Sequence, residues 1–217
     1  MHFLSISDIS PGELDSLLDD ATEFRQRRRK GAIDRKLEGK SVALLFEKPS
    51  TRTRISFEVA VSELGGHAIC LNSKDMQLGR GETVEDTAAV MSRYVHAVMA
   101  RVYSHGTLVK LAATSSVPVI NGLSDREHPC QLLADLLTIR ENKGKFEGLR
   151  FAWIGDGNNV CNSLLLACAY TGIELTIACP PGYEPNPELL KKAIVAGGKI
   201  KITNDPKEAA NGADVVY

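Results

Sequence analysis

The cysteines of this sequence lack the pattern for structural cross-linking: there are five, an odd number, with no Cys-x-x-Cys pair and no histidine at ligand spacing. That excludes a disulfide framework and a structural zinc site. No apolar stretch reaches membrane-spanning length, and the N-terminus lacks a charged-then-apolar signal pattern, so the expectation is a soluble, cytoplasmic protein with no membrane partner. Charge of one sign is also lacking. A formal net charge of −1 gives no global attraction to nucleic acid or to acidic surfaces, and any anion site must be local. The basic run from Arg25 to Lys30 follows the acidic stretch Glu13 to Glu23 on one predicted helix. Cations are favourable at a helix C-terminus, so no nucleic-acid partner is expected. There is no internal repeat, no low-complexity tract, no carboxylate cluster inviting magnesium, and no serine nucleophile with a His/Asp relay. Neither a metal nor a cofactor is expected.

What is present is ordinary globular composition, 43% hydrophobic and 24% charged over 217 residues, enough for one large or two modest domains. After a first helix from about Ser10 to Lys30, apolar runs at 41–46, 68–71, 96–101, 117–120, 150–154, 173–178, 199–202 and 213–216 read as strands alternating with helical patterns. This rhythm predicts an α/β fold of parallel sheets covered on both faces, with ligands at the carboxyl ends of the strands. A polar stretch from Glu141 to Lys145 suggests a boundary, giving two lobes, 1–142 and 143–217, each a parallel sheet flanked by helices. The second lobe reads as incomplete, because the sequence stops on a nascent buried strand ending at Tyr217.

The strongest local signal is Ser50-Thr51-Arg52-Thr53-Arg54, set between the strand Val42 to Phe46 and an amphipathic helix whose Phe57, Ala60, Val61 and Leu64 share one face before Gly65-Gly66. Ser50 or Thr51 at a helix start caps it, the free backbone N–H groups and the macrodipole favour an anion, and two guanidinium groups supply forked donors. A capped, solvated helix end is the plainer reading of a lone Ser-Thr-Arg; the tandem hydroxyl-Arg pairs after a buried strand favour a phosphate.

Other strand ends carry further polar groups. Arg101 emerges from the apolar strand Ala97 to Ala100 and needs an anionic partner or solvent. The loop Asp75 to Thr83, including Gln77, Gly79 and Arg80, is long for a βα connection and is a candidate lid or subunit contact. After the fourth strand, Pro129 fits a first helical position, which puts His128 at the cap and Gln131 in the first turn. His128 can polarise a carbonyl oxygen while Gln131 donates or accepts through its amide. A phosphate pocket beside a carbonyl pocket points to direct transfer of an acyl-like group from a phosphoanhydride, driven by positioning and electrostatics.

These residues resemble the carbamoyltransferases, and within them the ornithine enzymes of the aspartate/ornithine carbamoyltransferase family. The matching segments are Phe46 to Glu58, Leu64-Gly65-Gly66, Gln77-Leu78-Gly79, Glu85-Asp86-Thr87, Arg101, Asn121-Gly122-Leu123 and His128-Pro129-Cys130-Gln131. The resemblance implies that Ser50, Thr51, Arg52 and Thr53 hold the phosphate of carbamoyl phosphate, with Arg101, His128 and Gln131 at its carbonyl end as the catalytic residues. It implies a homotrimer in which Gln77 reaches the site of a neighbouring subunit, and a reaction in which the δ-amine of L-ornithine attacks the carbamoyl carbon to give citrulline and phosphate, in arginine metabolism. Arg54 is then structural. Residues 1–142 would bind carbamoyl phosphate and 143–217 would form part of an ornithine-binding domain, where Asn159 in Gly155-Asp156-Gly157-Asn158-Asn159 would contact ornithine.

Alternatives are a carbamoyltransferase for putrescine or aspartate, and a non-catalytic anion-binding protein. The aspartate enzymes normally carry a lysine near Ser-Lys-Gly in the loop where this sequence has Gln77-Leu78-Gly79-Arg80-Gly81-Glu82. Gly155-x-Gly157 also begins a dinucleotide fingerprint, but Val160 takes the third glycine position. The sequence has no counterpart of the family's Ser-Met-Gly loop, His-Cys-Leu-Pro loop or distal Arg. A chain of this extent alone is therefore expected to bind carbamoyl phosphate weakly and turn over ornithine poorly.

Overall fold

The structure, a computed structural model, describes residues 1–78 and 81–217. Gly79 and Arg80 of the candidate lid lie outside the described residues. The chain forms two compact units, Met1–Leu4 with Glu23–Asp125, and Ser5–Thr22 with Arg126–Tyr217. They are drawn differently from lobes divided at residue 142. Helix α5 (Pro129–Lys143) and the short 3-10 turn Ile6–Asp8 both pack on α6 (Asn159–Thr171), and Arg140 on α5 pairs with Asp19 on α1 (Pro11–Arg29) at 2.8 Å. Sequence proximity alone does not reveal such packing partners.

In the first unit, β1 (Ser41–Phe46), β2 (His67–Asn72), β3 (Ala97–Arg101) and β4 (Val119–Leu123) form a parallel sheet in the order β2-β1-β3-β4. The continuous apolar run of β1 divides by alternation, as a strand buried on both faces must. Ala43 and Leu45 pack with Val98 and Ala100 against Ala88, Met91, Leu108 and Leu111 of α3 (Val84–Met91) and α4 (His105–Thr114). Val42, Leu44 and Phe46 pack with Met99 against Phe57 and Val61 of α2 (Thr51–Glu63). On α2 the buried face is narrower than its apolar pattern suggested: Val61 is buried, Phe57 and Leu64 are half-buried, and Ala60 is exposed.

The fourth strand requires correction. Expected at 117–120, it runs over Val119–Leu123. Pro118 has no N–H for the ladder, so pairing starts after it. The polar-looking Asn121-Gly122 continues the strand because Asn121, fully buried, donates from Nδ2 to the Leu4 carbonyl at 2.8 Å while Phe3 bridges Ile120. At Gly122 the Met99 side chain packs over bare backbone, its sulfur 2.3 Å from where a Cβ would stand, so any larger residue there would have to displace it.

The second unit holds β5 (Arg150–Ile154), β6 (Glu174–Ala178), β7 (Lys199–Thr203) and β8 (Val215–Val216), parallel in the order β7-β6-β5-β8, with α6, α7 (Pro187–Val195) and α8 (Pro206–Ala210). Cys161 and Cys168 are buried along α6 among Leu164, Leu165 and Leu166. The last strand is shorter than the expected 213–216. In each sheet the chain steps outward to one side of its first strand and then returns to the other, so β1/β3 and β5/β8 are switch points, where α/β sheets open a crevice at their carboxyl ends. Among the described residues, no helix is long and apolar enough to cross a membrane.

Candidate functional site

The β1/β3 switch point in the first unit carries the anion motif. Ser50 is the N-cap of α2, its Oγ accepting from the Thr53 N–H at 3.3 Å, so Thr51 and Arg52 occupy the open first turn and are exposed. The loop that leads from β1 into this turn is latched to the end of β3: the Glu47 N–H donates to the Arg101 carbonyl at 2.9 Å, and the Glu47 carboxylate accepts from the Tyr103 N–H at 2.9 Å. Arg101 then directs its side chain to the same helix start, Nη1 donating to Thr53 Oγ1 at 3.4 Å. Its Nε is buried and has no hydrogen-bond partner among the described residues. Burial pulls the Arg101 pKa down, yet a guanidinium stays charged. A buried cationic donor with nothing to donate to, at the positive end of a helix, is an arrangement completed by an anion. Arg54 faces elsewhere, paired with Glu58 at 3.0 Å, and Glu58 also accepts from the Cys70 thiol at 2.6 Å.

The second unit supplies the other residues. His128 occupies the N-cap position of α5 with Pro129 first in the helix, as expected, and its side chain makes no capping hydrogen bond. Its backbone is held instead: the His128 N–H donates to Ser163 Oγ at 3.0 Å, and Ser163, fully buried on α6, donates to Glu127 at 3.4 Å. Glu127, 1% exposed, also accepts from the Ile6 N–H at 3.4 Å, and burial pushes its carboxyl pKa up. Gln131, in the first turn, donates from Nε2 to Asp135 Oδ1 at 2.9 Å.

At the end of β5, Asn158 caps α6, accepting from the Val160 N–H at 2.9 Å and the Cys161 N–H at 3.3 Å. Asn159 is therefore the first helical residue, and it is half-buried. The Gly157 position answers the dinucleotide reading: a Cβ there would lie 2.3 Å from the Pro185 nitrogen. The close approach this glycine permits is to the chain's own backbone, not to a pyrophosphate. Gln77 is exposed, just beyond the 3-10 turn Ser73–Asp75.

Known proteins share both the sequence and the arrangement. Residues 1–141 match the aspartate/ornithine carbamoyltransferase carbamoyl-P binding domain, and residues 147–217 match the Asp/Orn binding domain of the same enzymes. The chain belongs to the aspartate/ornithine carbamoyltransferase family. An ornithine carbamoyltransferase of Methanosarcina mazei is 59% identical over 214 residues, 99% of this chain and 71% of the relative. One from Archaeoglobus fulgidus is 54% identical over 216 residues, covering 100% of this chain and 70% of the relative. The structure of ornithine carbamoyltransferase from Pyrococcus furiosus superposes with a TM-score of 0.96 at 48% identity, over 100% of this chain and 70% of that one.

Within this carbamoyltransferase, Ser50, Thr51, Arg52, Thr53 and Arg101 are brought together in the first unit, and His128 and Gln131 share the start of α5 in the second. Sequence reasoning missed Asp135, Ser163, Glu127 and Glu47, which hold those groups in place. Asp135 was within reach of it, because Gln and Asp four apart on a helix are neighbours. Ser163 was not, since its contact joins residues 35 apart in the chain.

Proposed function

We propose that the protein transfers the carbamoyl group of carbamoyl phosphate to the δ-amine of L-ornithine, releasing L-citrulline and phosphate. The observation that carries the donor substrate is the buried, unpartnered Nε of Arg101 at the capped N-terminus of α2. Ser50, Thr51, Arg52 and Thr53 hold the phosphate through hydroxyls, backbone N–H groups and guanidinium. Arg101 and His128 stabilise negative charge on the carbamoyl oxygen, and Gln131 orients the carbamoyl amide. The uncharged δ-amine attacks the carbamoyl carbon, the bond to the phosphate oxygen breaks, and the amine loses a proton. Electrostatic stabilisation and positioning supply the rate enhancement. The acceptor is read from the relatives, which are ornithine enzymes, with Asn159 as its contact on α6. Aspartate and putrescine are not favoured.

The working form in this reading is a cytoplasmic homotrimer serving arginine biosynthesis, with Gln77 given to a neighbouring subunit. An exposed apolar groove lined by Phe24, Ile33, Ile55 and Val59 in the first unit supports self-association. Light scattering on the purified protein tests the trimer. An assay offering ornithine, aspartate and putrescine side by side tests the reaction: citrulline is the expected product, and carbamoylation of either other amine in preference to ornithine overturns the assignment.

A further inference from the structure

The hydrogen bond between Gln131 and Asp135 settles a question of polarity that the primary residues leave open. An ionised carboxylate only accepts, so the end of the Gln131 amide that lies 2.9 Å from Asp135 Oδ1 is the NH2 end. Oε1, the opposite end, accepts a hydrogen bond from no described residue. The two residues sit one turn apart on α5, both half-buried, on a helix anchored by the buried Leu132 and Leu136. Oxygen and NH2 have nearly the same size, so packing alone does not choose between the two amide orientations; a fixed acceptor does.

We infer that Asp135 is a positioning residue that turns the Gln131 amide so that Oε1 accepts from the NH2 of the carbamoyl group, making the site selective for carbamoyl over acyl groups with a methyl in that place. The inference rests on the proposed contact of Gln131 with the carbamoyl group. A flipped amide would set NH2 against NH2, two donors with no acceptor, and would leave a desolvated group unpaired. A methyl group in that place would leave Oε1 itself unpaired. Selectivity of this kind, from a polar group that needs its complement, exceeds what shape supplies.

The test is calorimetric titration of the protein with three stable probes: phosphonoacetamide, phosphonoacetone (which has methyl for amino), and inorganic phosphate. The wild type should prefer the amide over the ketone by about tenfold, the worth of one hydrogen bond. Asp135→Asn, which is isosteric and offers both a donor and an acceptor, leaves about half the molecules with the productive orientation and should lower that preference about twofold. Asp135→Leu frees the side chain altogether and should lower it about three- to tenfold. Phosphate affinity should stay unchanged in both variants, which also reports that the fold is intact. If both variants keep the wild-type preference while Gln131→Leu abolishes it, the inference fails and the contact by Gln131 stands. If Gln131→Leu also keeps the preference, the contact fails and the inference with it.

Discussion

Replacing Arg101 by methionine should move stability and ligand affinity in opposite directions. Methionine preserves the apolar stem that leaves β3 and removes the guanidinium. In the unliganded protein that group is half-buried, with its Nε out of water and unpartnered, its one side-chain hydrogen bond being the long 3.4 Å contact to Thr53. An unsatisfied buried donor costs about 1–3 kcal/mol, and losing a weak contact returns a fraction of that. A net gain of about 1 kcal/mol for the substitution follows, a rise of about 2–4 °C in melting temperature for a chain of this size. Against phosphate, a charge-assisted contact is lost, worth about 1.5–3 kcal/mol, or a loss of about ten- to hundredfold in affinity. Differential scanning calorimetry without ligand and titration with inorganic phosphate measure the two effects. A variant that melts lower than the wild type and binds phosphate as well would refute the idea that Arg101 is strained for the sake of an anion.

Glu127 makes a pH prediction. Its folded pKa lies above the ordinary value of 4.5 because of burial, so the folded state holds the proton more tightly than the unfolded one. Its contribution to stability is therefore full below pH 4.5 and lost as pH rises through the folded pKa. Glu127→Gln should flatten that decline in urea titrations across pH and be more stable than wild type at pH 7. Gly157→Ala should destabilise the second unit by at least about 1–3 kcal/mol in chemical denaturation, because the new methyl would overlap the backbone of Glu184 and Pro185 and not a flexible side chain. The thiols of Cys70 and Cys130, pushed up to about 11 and about 12, mainly by burial, should resist a chromogenic disulfide reagent at pH 8 in the native state and react on unfolding.

Local chemistry was legible in the sequence to the extent that it was local. The bounds of β5 and the Ser50 cap both follow from patterns a few residues long, and each is present. The motif at the start of α2 and its family follow from residue types in fixed order, which is why the donor substrate was readable. Long-range contacts were hidden. Asn121 looks like the start of a loop until Leu4 accepts from its side chain, 117 residues away, and the N-terminal residues look like a tail until Phe3 bridges β4. The packing of α5 on α6 likewise depends on surfaces distant in sequence. Gly157, read as half of a nucleotide fingerprint, serves the passage of Pro185, a constraint that no spacing rule contains.

At position 101, shape and charge are carried by different atoms. The carbonyl that receives the Glu47 N–H belongs to the main chain and exists whatever side chain is attached, while the guanidinium makes one long contact to Thr53 and keeps its Nε for a ligand. Geometry at the mouth of this sheet is thus independent of what it recognises. A lineage could lose its anion by one substitution and keep the turn, and a designer could exchange the recognised group at residue 101 without rebuilding the loop that frames it.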